Sequence, residues 1–151
     1  MKTSPLVSTA GIILSTLSGC TLSYPTIQPC EASEPEFVIS DYTGSTGSSG
    51  GQSFTFLLTA PFSDFTTGCS GSIPAGEVSS GYSWCSTIIP NYNVSYTITD
   101  STLAMNHKFK CETNGAELEA TAVGSGTLDL DDDRSSLVSG SQTIPVSTST
   151  S

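Results

Sequence analysis

The sequence predicts an all-β domain, a small disulfide-stabilised antiparallel β-barrel or sandwich. Three observations carry that expectation. Apolar and polar residues alternate with period 2 along much of the chain, no segment sustains a helical period, and turn-forming residues recur every ~8–15 residues. With 151 residues there is room for one domain.

The N-terminal 23 residues put Lys2 ahead of an apolar stretch from Leu6 to Leu17, diluted by Ser and Thr and followed by small residues. This is the layout of a secretory signal peptide, and it is too short and interrupted for a membrane span. Cleavage after Ser23 satisfies the small-x-small rule through Thr21 and Ser23 and removes Cys20. The same leader holds LSGC (Leu17 to Cys20), which also fits the lipobox of bacterial lipoproteins, whose cysteine is lipidated. Membrane attachment is expected only in that case.

From Pro25 to Pro35 three prolines and no periodicity describe an extended arm anchored by Cys30. EFVISDY (36–42) alternates as a first strand, and GSTGSSGG (44–51) is a flexible connection. SFTFLLTA (53–60) places Phe54, Phe56 and Leu58 on one face. NVSYTIT (93–99) sends Val94, Tyr96 and Ile98 one way and Asn93, Ser95, Thr97 and Thr99 the other. LAMNHKFKC (103–111) repeats the pattern, with Leu103, Met105, His107, Phe109 and Cys111 on one face. The Asp100-Ser101 pair between these runs predicts a tight hairpin. TNG marks another turn, and AELEATAVG (116–124) and GTLDL (126–130) read as the last two strands. The total is about six or seven short strands. Residues 131–151, an acidic run followed by a Ser/Thr tail with little to bury, are expected to be disordered. The predicted organisation is thus a signal peptide at 1–23, a secreted barrel domain at 24–130 and a disordered tail at 131–151.

Acidic residues number 14 against 4 basic ones, and losing the leader leaves only Lys108, Lys110 and Arg134. Nucleic acid is excluded as a partner, because phosphate affinity comes from clustered Lys and Arg. Low total charge with many Ser, Thr and Gly is typical of extracellular β-proteins.

Four cysteines remain after leader removal: Cys30, Cys69, Cys85 and Cys111. Four allow three connectivities. Roughly 100 structured residues bury too little apolar surface to be robust, and secreted domains of that size commonly add disulfides. GCSGSIPAGEVSSGYSWC (68–85) has 15 residues between its cysteines. A bridge between Cys69 and Cys85 would fix this Gly/Ser-rich excursion, removing about 3 kcal/mol of unfolded-state entropy on the chain-entropy account. Cys30 and Cys111 would then be left for each other, or Cys30 would bridge two chains. Trp84, the only tryptophan, is expected to pack over that end of the core.

The residues EFVISDYTG, SFTF, TTGCSGS, YSWC and NHKFKC, with ATAVGSGTLDL after them, resemble the fungal secreted family of the Alternaria alternata major allergen. The likeness covers about residues 30 to 130 and lies in the order of aromatic strands and cysteines. It implies a small secreted β-barrel without a general catalytic role, associated with host plants, immune recognition or allergy. It also implies a Cys69–Cys85 disulfide and matches Cys30 to the cysteine preceding the first strand, which in the allergen links two subunits. This chain lacks a second late cysteine to pair with Cys111, so Cys30 is expected to pair with Cys111 within one chain.

Asn93-Val94-Ser95 is the only N-x-S/T sequon, turned outward by the alternation, and Asn93 is a candidate glycosylation site. His107 shares its face with Met105 and Phe109, which predicts a hydrogen-bonded, partly buried histidine rather than a general base. No nucleophile motif such as G-x-S-x-G occurs, so no catalytic residue is expected. Asp129 to Asp133 lack the alternating ligands and closing Glu of a calcium loop, and one His without C-x-x-C spacing argues against a metal site. No cofactor is expected. The reading is a non-enzymatic secreted protein acting by extracellular recognition of a host or cell-wall component. The alternatives are a carrier of a small apolar ligand, a lipidated bacterial envelope protein, or a hydrolase.

Overall fold

Alternating burial runs along the strands at Gln52–Ala60, Phe65–Ile73 and Thr102–Thr113. The computed structural model describes residues 26–31, 34–87, 89 and 92–151. The expected leader at 1–23, with Cys20, lies outside them. Among the described residues there are nine strands: β1 (Gln28–Pro29), β2 (Glu36–Thr46), β3 (Gln52–Ala60), β4 (Phe65–Ile73), β5 (Ser83–Trp84), β6 (Asn93–Thr99), β7 (Thr102–Thr113), β8 (Ala116–Thr127) and β9 (Ser141–Thr150). A single 3-10 turn, Pro61–Ser63, lies between β3 and β4.

The chain is nearly all β and forms an antiparallel, nearly closed barrel. Its strands lie side by side in the order β4-β3-β2-β9-β8-β7-β6-β5. The short β1 runs parallel to β7 at Cys111 and Glu112, beyond the point where β6 begins its pairing at Lys108. Tight two-residue turns at Asp100-Ser101 and Asn114-Gly115 join β6 to β7 and β7 to β8, as the sequence predicts. Asp100, Asn114 and Gly115 all have positive φ, a conformation those residue types tolerate.

The side chains expected on the inner faces are inside. Phe54, Phe56 and Leu58 of β3, Val94, Tyr96 and Ile98 of β6, and Leu103, Met105, His107, Phe109 and Cys111 of β7 are all buried. The inner row of β8 is small instead. Ala120, Ala122, Gly124 and Gly126 lie opposite Phe109, His107, Met105 and Leu103 of β7. A Cβ on Gly124 would sit 3.1 Å from the Phe37 ring, and one on Gly126 would sit 3.2 Å from Ile144. Small residues on one strand thus receive large ones from β2 and β9, the interdigitation that close-packed interiors require. These glycines are packing positions and not breaks, so the strand expected at 116–124 runs on through Gly126 as one β8 that ends at Thr127, and of the strand expected at 126–130 only an isolated bridge from Leu130 to Leu137 lies beyond it.

The larger correction concerns residues 131–151, expected to be disordered. They complete the barrel. The N-terminal half of β9 pairs with β2 from Ser141 to Pro145, and the C-terminal half pairs with β8 from Val146 to Thr150. Pro145 sits at this change of partner, where its missing N–H costs no ladder bond to β8. Before the change, the Gln142 side chain spans the gap to β8, accepting from Asp129 N at 2.8 Å and donating to Thr127 O at 2.6 Å. Ile144 is buried against the core, and so is Leu137 in the preceding loop. The acidic run before β9 is also ordered. The Asp131 carboxylate accepts from the hydroxyls and backbone N–H groups of Ser135 and Ser136. Hydrogen bonds from Ser136 and then Ser135 outweigh desolvation and hold its pKa far below the usual carboxylate range.

If β9 is part of the core, truncating Ile144 must register in global stability. Ile144→Ala is expected to lower the unfolding free energy by about 3 kcal/mol in a chemical denaturation curve, the usual cost for a buried aliphatic. The neighbouring exposed Val138→Ala should stay within about 0.5 kcal/mol of the parent.

Candidate functional site

The one histidine occupies the most aromatic part of the barrel. His107 lies on the inner face of β7 at 0 % exposure, more deeply buried than the sequence reading expects. Its imidazole is sandwiched between Phe65, 5.0 Å away and nearly parallel, and Phe109, 5.2 Å away and nearly parallel. Phe37, Phe62 and Tyr92 close the remaining sides.

Two polar partners satisfy the ring. Nε2 lies 2.9 Å from Ser63 Oγ, and Nδ1 lies 3.4 Å from the Asn93 carbonyl. A carbonyl can only accept, so the neutral tautomer that bonds Asn93 carries its proton on Nδ1, and Nε2 then shares the single Ser63 hydroxyl proton with Ala60 O, 3.2 Å from Ser63 Oγ. Ser63 is brought there by the 3-10 turn, whose Asp64 N–H closes on Pro61 O with Asp64 in the left-handed region. Sequence reasoning missed Ser63, because its partner is 44 residues away and no spacing rule links them.

A serine hydroxyl donating to an imidazole is the first half of an acyl-transfer dyad. Here the second half is a backbone carbonyl in place of an orienting carboxylate, and both side chains are fully buried. The arrangement stabilises neutral histidine in an aromatic cage. Burial pushes the His107 pKa down to about 4 from 6.5, only partly opposed by the bond to Asn93. Tyr92, on the same cage, buries its hydroxyl without a hydrogen-bond partner among the described residues. Burial likewise raises the Tyr92 pKa.

All four predicted cysteines are paired, Cys30 with Cys111 and Cys69 with Cys85. The first ties the N-terminal arm to β7 beside the hydrogen bond from Cys30 N to Glu112 O. The second joins the two ends of the strand path, β4 and the segment just after β5. At that seam Ser86 N donates to Gly68 O at 3.0 Å, and the Thr67 hydroxyl donates to Ser86 O. Tyr96 Oη reaches across from β6 to Ser70 O at 2.5 Å. Its path passes over Gly71, where a Cβ would lie 2.7 Å from that oxygen.

Asn93 opens β6 with an exposed side chain, as expected for a sequon, whereas Ser95 is buried despite its outward phase. Trp84 departs from expectation altogether. It points away from the core at 69 % exposure, because Cys85, its neighbour, takes the inward position. Among the described residues no three His, Cys, Asp or Glu side chains converge as metal ligands. No protein-family model, curated protein or solved structure matches the chain.

The histidine cage makes stability pH-dependent. The unfolded chain takes up a proton near pH 6.5 and the folded chain only near pH 4, so the stabilisation is complete above pH 6.5 and is lost as pH falls towards 4. The expected loss is about 3 kcal/mol over that interval, read from denaturant midpoints. His107→Phe should flatten this part of the profile while carboxylate titration at lower pH persists.

The disulfides give a second prediction. They close loops with sequence separations of 81 and 16 residues. The chain-entropy relation then assigns about 4.5 kcal/mol to the Cys30–Cys111 bridge and about 3 kcal/mol to Cys69–Cys85. Cys30→Ser with Cys111→Ser should lower the melting temperature more than Cys69→Ser with Cys85→Ser, measured by scanning calorimetry.

Proposed function

We propose that this is a secreted protein of a filamentous fungus that acts without catalysis, by extracellular recognition of a host or cell-wall component. The observation that carries the reading is the pair of intrachain disulfides in a single small barrel. Disulfides persist in oxidising compartments, and small domains exported from the cell depend on them. The signal-peptide layout of residues 1–23 supports export, and the resemblance to the fungal allergen family supports the source and the recognition role.

The packing favours the outer surface as the working part. Phe54, Phe56 and Tyr96 meet at ring separations of 5.2 to 6.4 Å in the middle of the barrel. That filling leaves a ligand-carrier role without support from the interior. Ser63 and His107 are engaged with each other and sealed, which favours a non-catalytic reading over hydrolysis.

The test is the non-reduced intact mass of the natively secreted protein, with its N-terminal sequence and a thiol-alkylation count. The expected result is a start near Tyr24, no alkylated thiol, a monomer mass, and an added glycan that maps to Asn93. A diacylated start at Cys20 would replace this reading with that of an envelope lipoprotein. Recognition itself is tested by incubating the labelled protein with host extracellular fluid and isolated wall material, where absence of any saturable retention counts against it.

A further inference from the structure

Three of the large exposed apolar side chains, Val78 at 62 %, Tyr82 at 76 % and Trp84 at 69 %, lie on one ribbon, residues 78–86. The ribbon runs along the outer edge of β6 and is held firmly. Asp100 N donates to Val78 O and Ser80 N to Ile98 O, both at 2.8 Å, and Cys85 N donates to Val94 O at 3.0 Å. The Cys69–Cys85 disulfide then locks its end to β4. Trp84 of β5 and Tyr82, in the bend just before it, are both exposed, with the half-buried Ser83 between them. Folding gains little from a tryptophan placed this way, since aromatic side chains stabilise by the area they bury.

The pairing register shows what lies beside these rings. Trp84 stands opposite Ser95, and the same transverse row continues through Asn106, Val123 and Ser147. The flanking outward rows bring Thr97 and Ser125 on one side and Asn93 and Thr121 on the other. Lys108 is the one charged side chain in these three rows, which hold no carboxylate although the chain carries a net charge of −10. The face thus combines two exposed aromatic rings with rows of hydroxyl and amide groups, and the carboxylates nearest to it, Glu77, Asp100 and Glu119, lie outside these rows.

We propose that this face binds a neutral glycan, with adjoining pyranose rings stacked on Trp84 and Tyr82 and sugar hydroxyls hydrogen-bonded by Asn106 and Thr97. The C–H face of a pyranose is apolar and edge-positive, which suits the negative face of an aromatic ring. Its hydroxyl rim both donates and accepts, as the Asn amide and Thr hydroxyl also do. Charge selects among occupants. A polyanion is repelled by the net charge of the chain, and a basic protein finds no carboxylate in the rows beside Trp84, whereas an uncharged sugar needs none. Rings held by the disulfide and the ribbon's ladder lose little freedom on binding. The inference rests on the extracellular reading above, and it names the chemistry recognised.

The chain's only tryptophan is the reporter. The full secreted chain carrying Asn93→Gln, which removes any sugar of its own from this face, is titrated with cellohexaose, laminarihexaose and chitohexaose while Trp84 emission is followed. At least one hexaose should give a saturable blue shift. Trp84→Ala and Tyr82→Ala should each weaken retention on the matching insoluble polysaccharide about tenfold or more, as loss of a central aromatic anchor does. Trp84→Phe should keep most of the binding, and near-ultraviolet circular dichroism and disulfide mapping should confirm that the variants fold. The proposal is overturned if no hexaose moves the emission, if Trp84→Ala binds as the parent does, or if Trp84→Ala instead abolishes self-association seen by sedimentation. Should the sugars fail while protease-sensitive host material is still retained, the glycan falls and the broader recognition reading stands. Loss of all retention removes both.

Discussion

The rest of the structure depends on closing the seam between β4 and the β5–β6 edge. An open sheet of this length would expose two rows of unpaired backbone groups, and an exposed edge invites pairing with other chains. A short barrel removes them only if its end strands meet. Here they meet with little help from a backbone ladder, since β5 has two residues. The junction is made of other bonds: the Cys69–Cys85 disulfide, the Ser86 to Gly68 hydrogen bond, and the Tyr96 hydroxyl reaching Ser70 O. Each constrains the local sequence. Gly71 lacks a side chain because the Tyr96 hydroxyl takes its space, and Cys69 and Cys85 face inward because the seam closes over the core.

Closure also dictates what fills the interior. Large residues from β2, β3 and β7 converge, so one strand must yield, and β8 does so with its Ala and Gly row. A histidine among five aromatic rings would be costly if charged or unsatisfied. The 3-10 turn at Pro61–Ser63 and the carbonyl of Asn93 supply its two partners, and burial keeps it neutral at ordinary pH. The fold is therefore sealed by covalent bonds at its edge and by a buried neutral polar pair beneath the turn between β3 and β4, and it is this pair that senses acid.

Much of this was legible in the alternation. β3, β6 and β7, the hairpin at Asp100-Ser101, and the inward phase of His107 all follow from period 2, because a half-buried strand writes its faces into adjacent residues. What could not be read locally was anything settled by a distant partner. β9 carries the alternation Gln142, Ile144, Val146, but its Ser/Thr content and Pro145 argue for a tail. Only the ladders on its two sides, to β2 and β8, hold it in place. Gly124 and Gly126 read as punctuation because the residues that need their space, Phe37 and Ile144, come from other strands. Ser63 has no signature at all. Trp84 was misplaced for a related reason: beside a cysteine a large apolar residue suggests core, yet adjacent strand residues face opposite ways, and the disulfide had already claimed the inside.

That last reversal ties the stability of the barrel to the orientation of its exposed aromatic ribbon. A strand must present every second side chain to solvent, so fixing Cys85 inward obliges Trp84 outward. A disulfide that closes the seam therefore also sets the orientation of the aromatic ribbon, with the Gly81 turn, at positive φ, presenting Tyr82 beside it. Mobile loops usually carry binding surfaces and lose entropy when they bind. Here the exposed rings sit on a ribbon tied down by backbone hydrogen bonds to β6, a Ser80 side-chain bond and a disulfide. Reduction of Cys69–Cys85 would loosen the barrel edge and the ribbon together, so the proposed recognition face and covalent closure rest on the same two sulfur atoms.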